Sequence, residues 1–189
     1  MEILTPHRRY QDWSVTLLDR TYCLPATYDP PNRIEDVGVE LRAFVFPNLY
    51  QMMRDARLQG ILLHPKSGFR SYSDQQTMRA YWIQERGLEW ANLYSALPGH
   101  SEHQLGTTVD IGDENGLPWD TPEWDQGPTA RWLRGNAHRY GFLMTHVPDG
   151  SSGLGYEPWH FRFVGPMIAA KVVRANVSLA TWLRRYTLS

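Results

Sequence analysis

The sequence predicts an α+β fold with a mostly antiparallel sheet flanked by helices. Two observations lead there. Helical and strand-like segments follow one another in an irregular order, without the strict alternation that builds a parallel sheet. The chain has 189 residues, 42% of them hydrophobic and 21% charged, enough apolar side chain to bury a core in one domain of ordinary size.

The elements are read in chain order. Residues 1–35 mix short apolar pairs with Pro25, Pro30 and Pro31 and read as an irregular opening segment. Pro47 opens a helix through Leu49, Met52, Met53, Ala56 and Leu58, closed by Gly60. Ile61, Leu62 and Leu63 read as a short strand leading to Ser67-Gly68, and Ser73 with Gln76 as the capping box of a helix running toward Gly87. Gly99 to Gly106 reads as a polar, irregular loop. Thr107 to Ile111 reads as a strand, with Thr107, Val109 and Ile111 on one face and Thr108 and Asp110 on the other. After a connection holding Trp119 and Trp124, a helix spans Thr129 to Tyr140 and ends at Gly141. Phe142 to Val147 and Trp159 to Val164 read as strands around a Pro148 to Gly153 turn, and Pro166 and Ser178 start two closing helices. The expected organisation is a single domain over 1–189, with a catalytic core at about 36–165 and the closing helices in 166–189.

Composition excludes several classes of function. Nineteen basic against twenty acidic residues give a formal net charge of −1, which argues against a nucleic-acid binder working through bulk positive charge. No apolar run is long enough for a membrane span. The single Cys23 allows neither an internal disulfide nor a multi-thiolate zinc site. The start, Met1 to Arg9, lacks the basic and apolar regions of a secretory signal. It reads as a chain made without a signal or as a mature form whose leader is absent. The eight tryptophans read first as packing, although such rings also line sugar-binding grooves.

Two segments carry chemistry. In Ser101-Glu102-His103-Gln104-Leu105-Gly106-Thr107-Thr108-Val109-Asp110, a histidine closes the loop and a carboxylate sits on the polar strand face. Glu157-Pro158-Trp159-His160-Phe161-Arg162 adds a second imidazole and a spare carboxylate. A catalytic zinc needs three protein ligands and an open position, which His103, Asp110 and His160 would supply. Pro158 biases Glu157 toward an extended conformation at a strand mouth, where it would meet water rather than metal and serve as general base. The bland alternative is a solvated loop plus a strand-end ion pair of Glu157 with Arg162. His7, His64, His138 and His146 have no ligand-type neighbours in a recognisable spacing and read as having no function. Arg70, in Ser67-Gly68-Phe69-Arg70-Ser71-Tyr72, could hold a substrate carbonyl or a developing oxyanion.

These three blocks, in this order, resemble the signature blocks of VanY-type D-alanyl-D-alanine carboxypeptidases, from about Trp13 to Gly165. The resemblance implies a zinc metallopeptidase that trims peptidoglycan, in the Hedgehog/DD-peptidase fold. It implies one Zn2+ per chain on His103, Asp110 and His160, Glu157 as catalytic base and Arg70 as the substrate-polarising group. Gln75 and Ser101 fall where the family keeps polar groups facing substrate. Thr107-Thr108 and His100 depart from the pattern, and His100 is a possible rival ligand to His103.

The expected activity is removal of the C-terminal D-alanine from a stem peptide, with the peptidoglycan stem as partner and the cell envelope as its place of work. Alternatives are an L,D-carboxypeptidase acting on tetrapeptide stems, an endopeptidase cutting inside the stem, and a zinc-stabilised, non-catalytic Hedgehog-like binding module.

Overall fold

The computed structural model describes residues 3–4, 13–113 and 120–187. Most of the Met1 to Arg9 segment, and Trp119, lie outside them. Short pieces precede the main sheet: β1 (Ile3–Leu4) runs parallel to β2 (Tyr22–Cys23), and β3 (Arg33–Asp36) forms a hairpin with β4 (Val39–Arg42). Val37 and Gly38 turn that hairpin at φ 45° and 80°. A β-branched residue is unusual at positive φ.

The first helix, α1 (Phe46–Arg57), begins with Pro47 in its first turn and buries Phe46, Leu49, Met52 and Ala56. Gly60, at φ 76°, reverses the chain, so β5 (Leu63–Ser67) starts only at Leu63 and leaves Ile61 and Leu62 in the connection. Next comes α2 (Tyr72–Arg86). Its capping box is Ser71 with Asp74, two residues earlier than the Ser73–Gln76 pair expected from sequence. The hydroxyl of Ser71 accepts from Asp74 N at 3.1 Å, and the Asp74 carboxylate accepts from Ser71 N at 3.2 Å. Both pairs share the i, i+3 spacing. A short α3 (Leu88–Tyr94) follows directly.

The remaining elements are β6 (Thr108–Asp113), α4 (Pro128–Asn136), β7 (Phe142–Met144), β8 (His160–Phe163), α5 (Pro166–Ala175) and α6 (Leu179–Thr187). The last turn before Gly141 tightens to a 3-10 helix at Ala137–Tyr140. Gly141 then takes φ 85°, and a Cβ there would lie 2.8 Å from the Gly165 backbone. Strands β5, β6, β8 and β7 form a fully antiparallel sheet in that order. The mixed, antiparallel α+β class read from the sequence is the observed one.

Side-chain alternation then sorts the sheet. Val109, Ile111, Phe161 and Phe163 join α1 and α4 in the main core, together with Trp124, Trp132 and Trp159. A second cluster seats α5 and α6 against Leu143 and Val164. Thr108, Asp110, His160 and Arg162 point to the opposite face, yet all four are buried as well. Four polar side chains under cover need partners. The fold supplies them from residues 100–106, which form a buried 3-10 turn at Glu102–Leu105 where the sequence reads as a polar, irregular loop.

Candidate metal centre

Register places the first two groups. Asp110 on β6 lies directly opposite His160 on β8. The Asp110 Oδ1 atom is 3.2 Å from His160 Nδ1, and Asp110 Oδ2 is 3.3 Å from His103 Nε2. His103 comes from the 3-10 turn, and its own backbone N–H is capped by the Ser101 hydroxyl at 3.3 Å. One ligand-type atom from each of His103, Asp110 and His160 falls within a 4.8 Å group, and all three residues are buried.

The imidazoles are oriented from behind. In His103, Nδ1 donates to the Gly68 carbonyl at 2.6 Å, which leaves Nε2 as the lone-pair nitrogen facing Asp110. In His160, Nε2 faces Glu102 Oε2 at 3.1 Å, leaving Nδ1 toward Asp110. Asp110 Oδ1 is itself buried without a hydrogen-bond partner. Two nitrogens and one carboxylate oxygen thus converge with their outward valences already committed. That donor set suits a divalent cation of the zinc type.

Glu102 was overlooked at the sequence level, and it organises the back of the centre. Its Oε1 accepts from Arg162 at 2.8 Å, and its Oε2 accepts from Thr145 Oγ1 at 2.5 Å as well as facing His160. The Glu102 carbonyl accepts from Thr108 Oγ1 at 3.0 Å, tying the turn to β6. Burial opposes the Glu102 charge, but Arg162 and His160 hold its carboxyl well below the usual range. Arg162 therefore pairs with Glu102, and the strand-end pair with Glu157 considered in the sequence does not form.

Three carboxylates around two histidines set the electrostatics. Burial works against a charged His160, yet the flanking Asp110 and Glu102 outweigh it and push the imidazole up to about 10. Asp110 is likewise held low by His103 and His160 despite its burial. The negative field that favours a proton on His160 equally favours a cation between the three groups.

Glu157 stands beside this group, its Oε2 3.7 Å from His160 Nδ1 and 3.9 Å from His146 Nε2. Burial pushes its carboxyl up to about 8, with Asp110 and Glu102 adding to the rise. His146, set aside in the sequence reading, is in fact part of the site. Its ring stacks on His160 at 4.1 Å, and burial with His160 beside it lowers its pKa to about 3. It arrives because β7 ends at Met144, three residues short of the strand expected, and Thr145 and His146 turn inward. His100 stays out of the group, bonding the Asp19 carbonyl through Nδ1 at 2.6 Å.

Arg70 faces the same cleft, a cavity of about 700 Å³ that it lines with Ser67, Gln75, Ser101 and Glu157. Its two terminal nitrogens donate to Gln75 Oε1 at 2.9 Å and Ser67 Oγ at 3.2 Å. Gln75 is buried, and its amide nitrogen donates to the Ala96 carbonyl at 2.8 Å, so the side chain works as a brace for Arg70.

A three-donor centre, a high-pKa carboxylate and a braced arginine on one cleft define a metallohydrolase-type site. Residues 38–166 match the family described as VanY, D-alanyl-D-alanine carboxypeptidase, and the chain belongs to that family. It is 31% identical over 185 residues to a D-alanyl-D-alanine carboxypeptidase of Enterococcus faecalis, covering 92% of this chain and 66% of the relative. It thus spans just under two thirds of that protein's length. Among solved structures, a zinc-bound mutant of the vancomycin-resistance D,D-pentapeptidase VanY aligns with TM-score 0.78 and 31% identity, over 90% of this chain and 99% of that one. The LdcB LD-carboxypeptidase aligns with TM-score 0.80 and 26% identity, over 92% and 87%.

Proposed function

We propose that the chain is a zinc-dependent D-alanyl-D-alanine carboxypeptidase that removes the C-terminal D-alanine from peptidoglycan stem peptides. One observation carries this reading: His103, Asp110 and His160 converge beside Glu157 and Arg70 in a chain of the VanY family. His103 Nε2, an Asp110 oxygen and His160 Nδ1 would hold one zinc ion. A zinc ion held there would supply polarisation of the scissile carbonyl and lower the pKa of water to about 7.

The chain's own groups do the rest. Glu157 takes a proton from the attacking water on its carboxylate and delivers it to the leaving amine nitrogen. Between those steps it must hold the proton, which suits a carboxyl that burial already favours in its neutral form. Arg70 directs its guanidinium at the carbonyl oxygen, where negative charge grows as water adds. Ser67 and Gln75 keep that fork in place before substrate arrives, and Ser101 offers its hydroxyl at the cleft wall.

A peptidoglycan stem as substrate supports a place of work at the cell envelope, outside the cytoplasmic membrane. Among the described residues, no helix is long and apolar enough to cross a membrane. Incubating the zinc-loaded protein with defined pentapeptide and tetrapeptide stems, followed by mass spectrometry, tests the reading. Loss of one alanine from the pentapeptide alone supports D,D activity, and loss from the tetrapeptide alone assigns L,D activity instead. Turnover of neither refutes a carboxypeptidase. A Glu157→Gln variant serves as the inactive, zinc-replete control, with turnover down about 10²–10⁴-fold.

A further inference from the structure

Four aromatic rings of α2 and α3 belong to none of the buried clusters. Tyr81, Trp82, Trp90 and Tyr94 touch in sequence, with ring centroids 5.0, 5.0 and 5.1 Å apart. All four line the same cleft as Arg70, Gln75 and Glu157. Trp82, Trp90 and Tyr94 are half-buried, and Tyr81 at the outer end is 54% exposed.

The inner end of the row is fixed to the loop that carries Glu157. Gly155 N donates to the Leu93 carbonyl at 2.7 Å, and a Cβ on Gly155 would fall 2.5 Å from the Tyr94 ring. The row therefore starts at the segment that leads into Glu157 and runs toward the exposed Tyr81.

We propose that this row is a saccharide platform, receiving the amino-sugar strand to which the stem peptide is attached. The proposal rests on the carboxypeptidase reading for the identity of the attached peptide. An aromatic face carries negative charge density, which attracts the slightly positive C–H groups on the apolar face of a sugar ring. The row ends at its most exposed member, Tyr81. The platform selects stems on assembled glycan over free peptide.

Two measurements test this. Titration with a β-1,4-linked N-acetylglucosamine tetramer, followed by saturation-transfer NMR, should give contacts in the parent protein. Tyr81→Ala and Trp82→Ala should weaken them, and Trp82→Phe should restore most of the signal. In kinetics, the preference for a disaccharide-linked pentapeptide over the free pentapeptide should fall, through KM, by roughly 2- to 10-fold per ring removed. Absence of tetramer contacts in the parent overturns the platform. Equal losses on both substrates also overturn it, since the rings would then serve the peptide or the packing of α2 on α3. If neither substrate is turned over, the carboxypeptidase reading fails, and the tetramer titration still decides the platform by itself.

Discussion

Asp110 and His160 face each other across adjacent antiparallel strands, with Asp110 Oδ1 3.2 Å from His160 Nδ1. The sheet ladder itself holds two of the three proposed ligands at fixed separation. Only His103 depends on a turn, and that turn is pinned at its start, by Thr108 to the Glu102 carbonyl and by His103 to the Gly68 carbonyl.

Zinc binding should release protons in a pH-dependent way. His160 is pushed up to about 10 and Glu157 to about 8, so both carry protons at pH 7 in the metal-free protein. A cation displaces the first and favours ionisation of the second. Calorimetry in buffers of different ionisation enthalpy should find net proton release on zinc binding at pH 7. Apparent affinity accordingly rises with pH there. Release of none at pH 7 would contradict the ligand set.

Gly68→Ala should loosen the metal without touching a ligand. A Cβ there meets the Glu40 carbonyl oxygen at 2.4 Å, so the strand end must shift and carry away the acceptor of His103 Nδ1. Such outer partners are worth about 10–100-fold in metal affinity. Competition with a chromogenic chelator measures it, and unchanged affinity would show that the Gly68 carbonyl does not orient His103.

Glu102→Gln should cost stability as well as activity. It leaves the fully buried Arg162 guanidinium without its counter-charge, a loss of about 3–5 kcal/mol. The sign with pH follows from the lowered Glu102 pKa. Its contribution is fully present above the ordinary carboxylate range and disappears as pH falls toward the folded-state value. Urea unfolding of parent and variant should therefore converge as the solution is acidified, and parallel curves would contradict the assignment.

Arg70 and Gln75 should behave as one unit. Arg70→Ala should lower kcat by about 10²–10³, with little change in stability. Gln75→Ala should lower kcat less, because Ser67 still holds one nitrogen of the fork. In Arg70→Ala, the further change of Gln75 should cost almost nothing more in kcat. Full additivity in this cycle would mean that Gln75 meets the substrate independently of Arg70.

The sequence by itself determined the fold class, most helix positions, and a site written in three blocks. Periodicity, proline starts and glycine stops are local properties, and they survive folding. Asp110 was legible because strand alternation separates it from Val109 and Ile111. Glu102 and His146 were not, since their partners lie 60 residues away at Arg162 and in the neighbouring strand at His160. The buried 3-10 turn at 102–105 reads as a polar loop for the same reason: only its contacts across the sheet satisfy those polar groups and let them leave water. Chain order supplied the ligand types. Tertiary packing chose the tautomers, the brace on Arg70 and the field around Glu157, because each depends on groups that meet only when the sheet closes.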